Sequence, residues 1–113
     1  MNWIDEISNN DNLVRNIYIE DNCLIVQVEL WDGTIKQVRF INYYIFKDKN
    51  SIGMEIGDIK MQNDSQLLDE LRKDVLNGGG TIQEIAEVKN VAFYDGWNNQ
   101  VILEVLAEDI SIT

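Results

Sequence analysis

The side chains able to do chemistry in this 113-residue chain are carboxylates and tryptophans: there are 20 acids and three tryptophans, but one cysteine and no histidine. Without imidazole the usual general base, the Ser-His and Cys-His nucleophiles and every histidine-built zinc site are excluded. Cys23 alone can form neither an intrachain disulfide nor a multi-cysteine metal site, and its place in an apolar run marks it as an ordinary buried thiol. Two carboxylates suffice for glycoside hydrolysis, and Glu55 with Asp58, or Asp32 with Asp95, would be the candidate pairs. Twenty acids on a small surface make such pairs inevitable by chance, so solvated turn and edge residues are the simpler account. The segment from Asp48 begins like a calcium loop, but Ile52 takes the fifth position and Ile59 stands where a bidentate glutamate is needed. Gly78-Gly79-Gly80 lacks the Lys-Ser/Thr of a phosphate loop and follows a helical pattern instead of preceding one, so it reads as a mobile connection. No catalytic residue, metal ligand or cofactor is therefore assigned.

The tryptophans are better placed for recognition. Trp31-Asp32-Gly33 and Asp95-Gly96-Trp97 put indoles beside two Asp-Gly turns, with Glu29 before the first and Tyr94 before the second. Trp and Tyr dominate interface hot spots, so Glu29, Trp31, Asp32, Tyr94, Asp95 and Trp97 form a candidate partner-binding set. The commoner role of an aromatic at such a position is to pack over the turn and close the end of the core.

Charge divides the chain. The total is −11, but residues 1–33 hold seven acids and one base, residues 34–63 three acids and five bases, residues 64–80 four acids and two bases, and residues 81–113 six acids and one base. Such a chain is repelled by phosphate backbones and anionic head groups, which argues against nucleic-acid and membrane partners. If the two acidic thirds meet, they form one negative face suited to steering a basic partner; otherwise the charge only keeps the protein soluble and monomeric.

These residues need a scaffold, and the sequence predicts a single α+β domain of mainly antiparallel sheet. With 45% apolar residues the core is sufficient, and the chain should fold despite its charge. Trp3, Ile4 and Ile7 have helical spacing, giving a terminal helix or lid before the Asn- and Asp-rich stretch 8–12. Asn16 to Glu20 alternates, Asp21-Asn22 makes a turn, and Leu24, Val26, Val28 and Leu30 repeat at period two. Asp32-Gly33 is the strongest turn signal and predicts a type I′ hairpin leading into a long strand, 34–46, with a bulge or break near Asn42. Residues 51–61 read as another strand, whose glycines imply a bend or a close backbone contact.

One amphipathic helix is predicted near residues 64–77, with Asn63, Asp64 or Ser65 as cap, Leu67, Leu68, Leu71, Val75 and Leu76 as its stripe, Gly78 as C′ residue, and an Asp69–Lys73 surface pair. Strand material follows over 81–95. The last strand places Val101, Leu103, Val105 and Ala107 on one face, and mostly Ile102, Leu106, Ile110 and Ile112 on the other. Apolar residues on both faces imply a central strand in a meander, open or folded over as a sandwich, with the helix packed on it to close one opening.

Early Trp3-Ile4, the strand-turn-strand unit from Ile17 through Leu30-Trp31-Asp32-Gly33, the following Val38 to Tyr43, and Trp97-Asn98-Asn99 before Ile102 to Val105 together span most of the chain. In these respects it resembles the small acidic immunity proteins that bacteria make against polymorphic secreted toxins. The resemblance implies a non-enzymatic inhibitor of a cognate, cationic toxin domain, without fixing the toxin or any site residue. A small-ligand or carbohydrate-binding β-module and a homo-oligomer subunit are the alternatives. Thirteen asparagines beside 16 isoleucines suit an AT-rich bacterial genome. No basic-then-apolar leader opens the sequence, and no window approaches the roughly 18 apolar residues of a membrane span, so the expected location is cytoplasmic.

Overall fold

The computed structural model describes residues 3–8 and 11–113; Met1, Asn2 and, within the predicted polar stretch, Asn9 and Asn10 lie outside the described residues. It is an α+β fold with six antiparallel strands: β1 (Leu13–Glu20), β2 (Cys23–Glu29), β3 (Ile35–Asp48), β4 (Ile56–Gln62), β5 (Lys89–Asp95) and β6 (Val101–Ile112). Helix α1 (Trp3–Ile7) precedes the sheet, and α2 (Gln66–Asn77) with a 3-10 turn (Ile82–Ile85) links β4 to β5. The spatial order is β1-β2-β3-β6-β5-β4, so β3 and β6, the two longest strands, pair at the centre.

The sheet curls until its edges meet. Val14 N–H donates to the Met54 carbonyl (3.0 Å), Gly53 N–H to the Val14 carbonyl (2.7 Å) and Ile56 N–H to the Asn12 carbonyl (2.8 Å), around a single bridge between Leu13 and Glu55. The result is the expected antiparallel sheet, curled into a part-closed barrel by contact at one corner. One core fills it, with buried residues from every strand, among them Val14, Val26, Phe40, Ile59, Phe93 and Val105. Phe40 and Phe93 come from strands separated by β6, yet their rings lie 6.3 Å apart in an edge contact, which only a strongly coiled sheet allows.

Helix α1, not α2, sits on this core. Five residues cannot hold a helix in water, so its fully buried Ile7 and the edge of Trp3 against Phe40, 6.4 Å between rings, must fix it. Helix α2 lies on the opposite face of the sheet, where Leu67, Leu68 and Leu71 pack with Ile85 and Leu106. Burying a leucine is worth about 2 kcal/mol, so three of them decide whether this otherwise marginal helix forms. Ser65 is the cap, its hydroxyl accepting from Leu68 N–H at 3.1 Å.

Several local expectations move by a residue or a turn type. The type I′ turn is Asp21-Asn22, both at positive φ (50° and 63°), whereas Asp32 is not in that region and only Gly33 is (φ 87°). Leu30 accepts from Gly33 N–H and donates to Thr34, giving a three-residue loop with a glycine bulge. The left-handed residue after α2 is Gly79 (φ 86°), not Gly78; Gly79 N–H donates to Leu76 and Gly80 N–H to Val75, so the triple glycine is the helix cap and not a slack linker. Strand β4 starts at Ile56 rather than Ser51, and residues 82–85 form the 3-10 turn in place of strand. Asp69 pairs with Arg72 (3.2 Å), one residue short of Lys73.

The disturbance expected near Asn42 is a double one. Asn42 is left-handed (φ 51°), and an extra residue interrupts the β3–β6 register between Tyr43 and Ile45. Inward positions on β3 are therefore Val38 and Phe40 but then Tyr43 and Phe46. On β6 the inward set shifts from Leu103, Val105 and Ala107 to Ile110 and Ile112, and Ile102 also joins the core, so the simple two-face division does not hold.

Candidate functional site

The seam brings together the two tryptophan turns, which lie at opposite ends of the β3–β6 ladder. Asn12 is buried; its side-chain oxygen accepts from Trp31 N–H (2.9 Å), its Nδ2 donates to the Ile7 carbonyl (3.2 Å), and its own carbonyl holds Ile56. One residue back, the Glu55 carbonyl accepts from Gly96 N–H (3.1 Å). Trp31 and Trp97 are thus joined through three hydrogen bonds and a few residues of backbone. Gly57 makes this close approach possible, since a Cβ there would lie 2.6 Å from the Asp95 carbonyl oxygen and 2.7 Å from the Gly96 Cα.

Both indoles face solvent: Trp31 is 72% exposed and Trp97 80%. Neither indole packs on the core, which α1 joins through Trp3, Ile4 and Ile7. Large apolar side chains so exposed, beside acids, have the makings of a contact surface.

The acids of the candidate set are committed to the scaffold. Asp32 accepts from Thr34 N–H (3.0 Å), and that bond is the chief reason its carboxyl titrates below the usual aspartate value. Asp95 is buried and caps its own turn, accepting from the N–H groups of Asn98 and Trp97; these bonds, Asn98 first, lower its pKa against the opposing effect of burial. Glu29 is ion-paired with Arg15 across the β1–β2 ladder. Tyr94 points elsewhere: its hydroxyl accepts from Gln62 Nε2 at 2.7 Å, and Lys60 sits over its ring at 5.0 Å. The structure therefore brings Trp31, Asp32, Asp95 and Trp97 to the seam and leaves Tyr94 on the outer face of β5.

The close backbone contact expected of the glycines in 51–61 is the one Gly57 makes with Asp95 and Gly96, whereas Asn12, which builds the seam, was not singled out within the Asn- and Asp-rich stretch. Nor was Glu108, whose carboxylate accepts from Tyr44 OH (2.8 Å) and Asn42 Nδ2 (3.1 Å) where β3 is disturbed. These donors, Tyr44 first, hold Glu108 below the ordinary glutamate value, and the same bond raises the Tyr44 phenol. A cleft of about 320 Å³ opens here, lined by Asn22, Asn42, Tyr43, Tyr44 and Glu108. Two further clefts flank α2, and none of the three is lined by a tryptophan.

Among the described residues no group of three or more His, Cys, Asp or Glu side chains is placed to hold a metal ion, and no helix is long and apolar enough to cross a membrane. Compared with known proteins, the chain has no match to a family model and no significant match to a curated protein or a solved structure.

Proposed function

We propose that the chain is a non-enzymatic acidic binding protein, an immunity protein that neutralises a cationic bacterial toxin domain by covering it. One observation carries this reading: two tryptophans, 72% and 80% exposed, ride on turns that a hydrogen-bond relay through buried Asn12 ties together at the seam. Exposed aromatic anchors give slow release once buried by a partner, while a charge of −11 speeds encounter with a basic surface. A ring-stacking module built on Trp31, Trp97 and Tyr94 would need them to line one groove, and Tyr94 points away from the seam while none of the three clefts described above is lined by a tryptophan.

The test is co-expression with the protein encoded by the adjacent reading frame in cells that this neighbour kills. Rescue by the native chain, lost in the Trp31→Ala/Trp97→Ala double variant, is expected; survival unaffected by the native chain overturns the pairing. Association should also slow as ionic strength rises, since exposed charges are screened beyond about 8 Å at physiological salt.

A further inference from the structure

The Glu108 cleft carries chemistry that the seam does not. Asn42 and Tyr44 lie on the same outward stretch of β3, opposite Glu108 on β6, because the left-handed Asn42 and the extra residue at Tyr44 redirect this part of the strand. Tyr44 OH and Asn42 Nδ2 each donate to a different oxygen of the Glu108 carboxylate, so both oxygens are oriented and each retains acceptor capacity. Among the described residues no basic side chain is paired with this carboxylate: Lys89 on β5 gives its ammonium to the Glu108 backbone carbonyl (2.9 Å) and to Asp109 (3.8 Å). Glu84 adds further negative potential at Tyr44. Tyr44 lines the cleft and is 37% exposed.

We propose that this cleft is a socket for an alkyl guanidinium group, with the Glu108 carboxylate as bidentate acceptor and the Tyr44 ring as stacking face. A guanidinium is planar and presents parallel N–H donors that match two carboxylate oxygens, and it stacks on aromatic faces, whereas an ammonium engages as a point charge. Resting on the proposed basic partner, the inference names the side chain that this second contact takes: an arginine on the toxin domain.

The experiment titrates the intact chain with N-acetyl-arginine methylamide, following the amide and side-chain NMR signals of Asn22, Asn42, Tyr44 and Glu108; the corresponding lysine derivative, a one-arginine heptapeptide and free agmatine are run in parallel. Saturable shifts confined to these residues are expected, at least about threefold weaker with the lysine compound and about tenfold weaker in Glu108→Gln, which removes the charge and leaves a single acceptor oxygen for Tyr44 or Asn42. Tyr44→Leu, which removes the stacking face without touching the core, should weaken binding similarly. Peptide binding at least as tight as agmatine identifies a protein side chain as the source, and clear preference for agmatine overturns that assignment. Shifts spread over all acidic residues, or unchanged in both variants, overturn the socket. Because no toxin is used, a failed rescue assay and a failed titration are separate results.

Discussion

The seam and the Glu108 cleft use acidic and aromatic residues in opposite ways. At the seam the carboxylates serve the protein's own backbone and Arg15, and the indoles are what solvent meets. At the cleft two side chains aim a carboxylate outward, while Tyr43 turns inward to an edge contact with Phe46, 5.9 Å between rings. A count of acids near a turn therefore says little about which of them a partner can engage. The first region is built to hold on, the second to receive a charge.

The largest expected effect breaks this contrast directly. Trp31→Ala/Trp97→Ala should weaken binding to the purified toxin domain by at least about 100-fold, measured calorimetrically, and shift urea stability by no more than about 0.5 kcal/mol. Loss of stability as large as the loss of binding would return the indoles to a packing role. Next, Gly57→Val must push the β5–β6 turn away from β4, at a cost of about 2–3 kcal/mol in urea unfolding, and should displace the Trp97 indole signal in NMR spectra. Asn12→Ala removes the acceptor of Trp31 N–H and the donor to Ile7, costing about 1–3 kcal/mol by the same assay.

The smallest effect is one of pH. Asp95 has a depressed folded-state pKa, so its contribution is complete above the unfolded aspartate value of about 4 and is lost as pH falls through that value toward the folded one. In acid unfolding curves the native chain should converge on Asp95→Ala as pH drops below 4, whereas Glu108→Gln, altering an exposed group, should leave the Asp95-dependent part of the curve in place.

What the sequence makes legible follows from the range of each signal. Strand β2 and helix α2 are readable because period two and the leucine stripe are local, and Ser65 caps by contact with Leu68 three residues on. The Asp32-Gly33 error has a physical source: both candidate hairpins need positive φ at glycine, and only the conformation of Asp32 separates them. Three consecutive glycines likewise hide which one is left-handed. The seam was illegible, since Leu13 and Glu55 pair across 42 positions with no pattern announcing it, and without that pairing nothing places Trp31 near Trp97. The exposure of the indoles was equally illegible, because Trp3, Ile4 and Ile7 of α1 pack on the core and Trp31 and Trp97 do not.

Closure by one bridge and a few flanking hydrogen bonds has a dynamic consequence. Amides at Val14, Gly53 and Ile56 lie at a junction that can breathe without unzipping a ladder, whereas those of β3 and β6 are released only when the whole sheet comes apart. Trp31 and Trp97 stand on the two lips of that junction. Small openings of the barrel thus alter the gap between the indoles while the core stays intact, letting a rigid fold adjust its grip to the surface it meets.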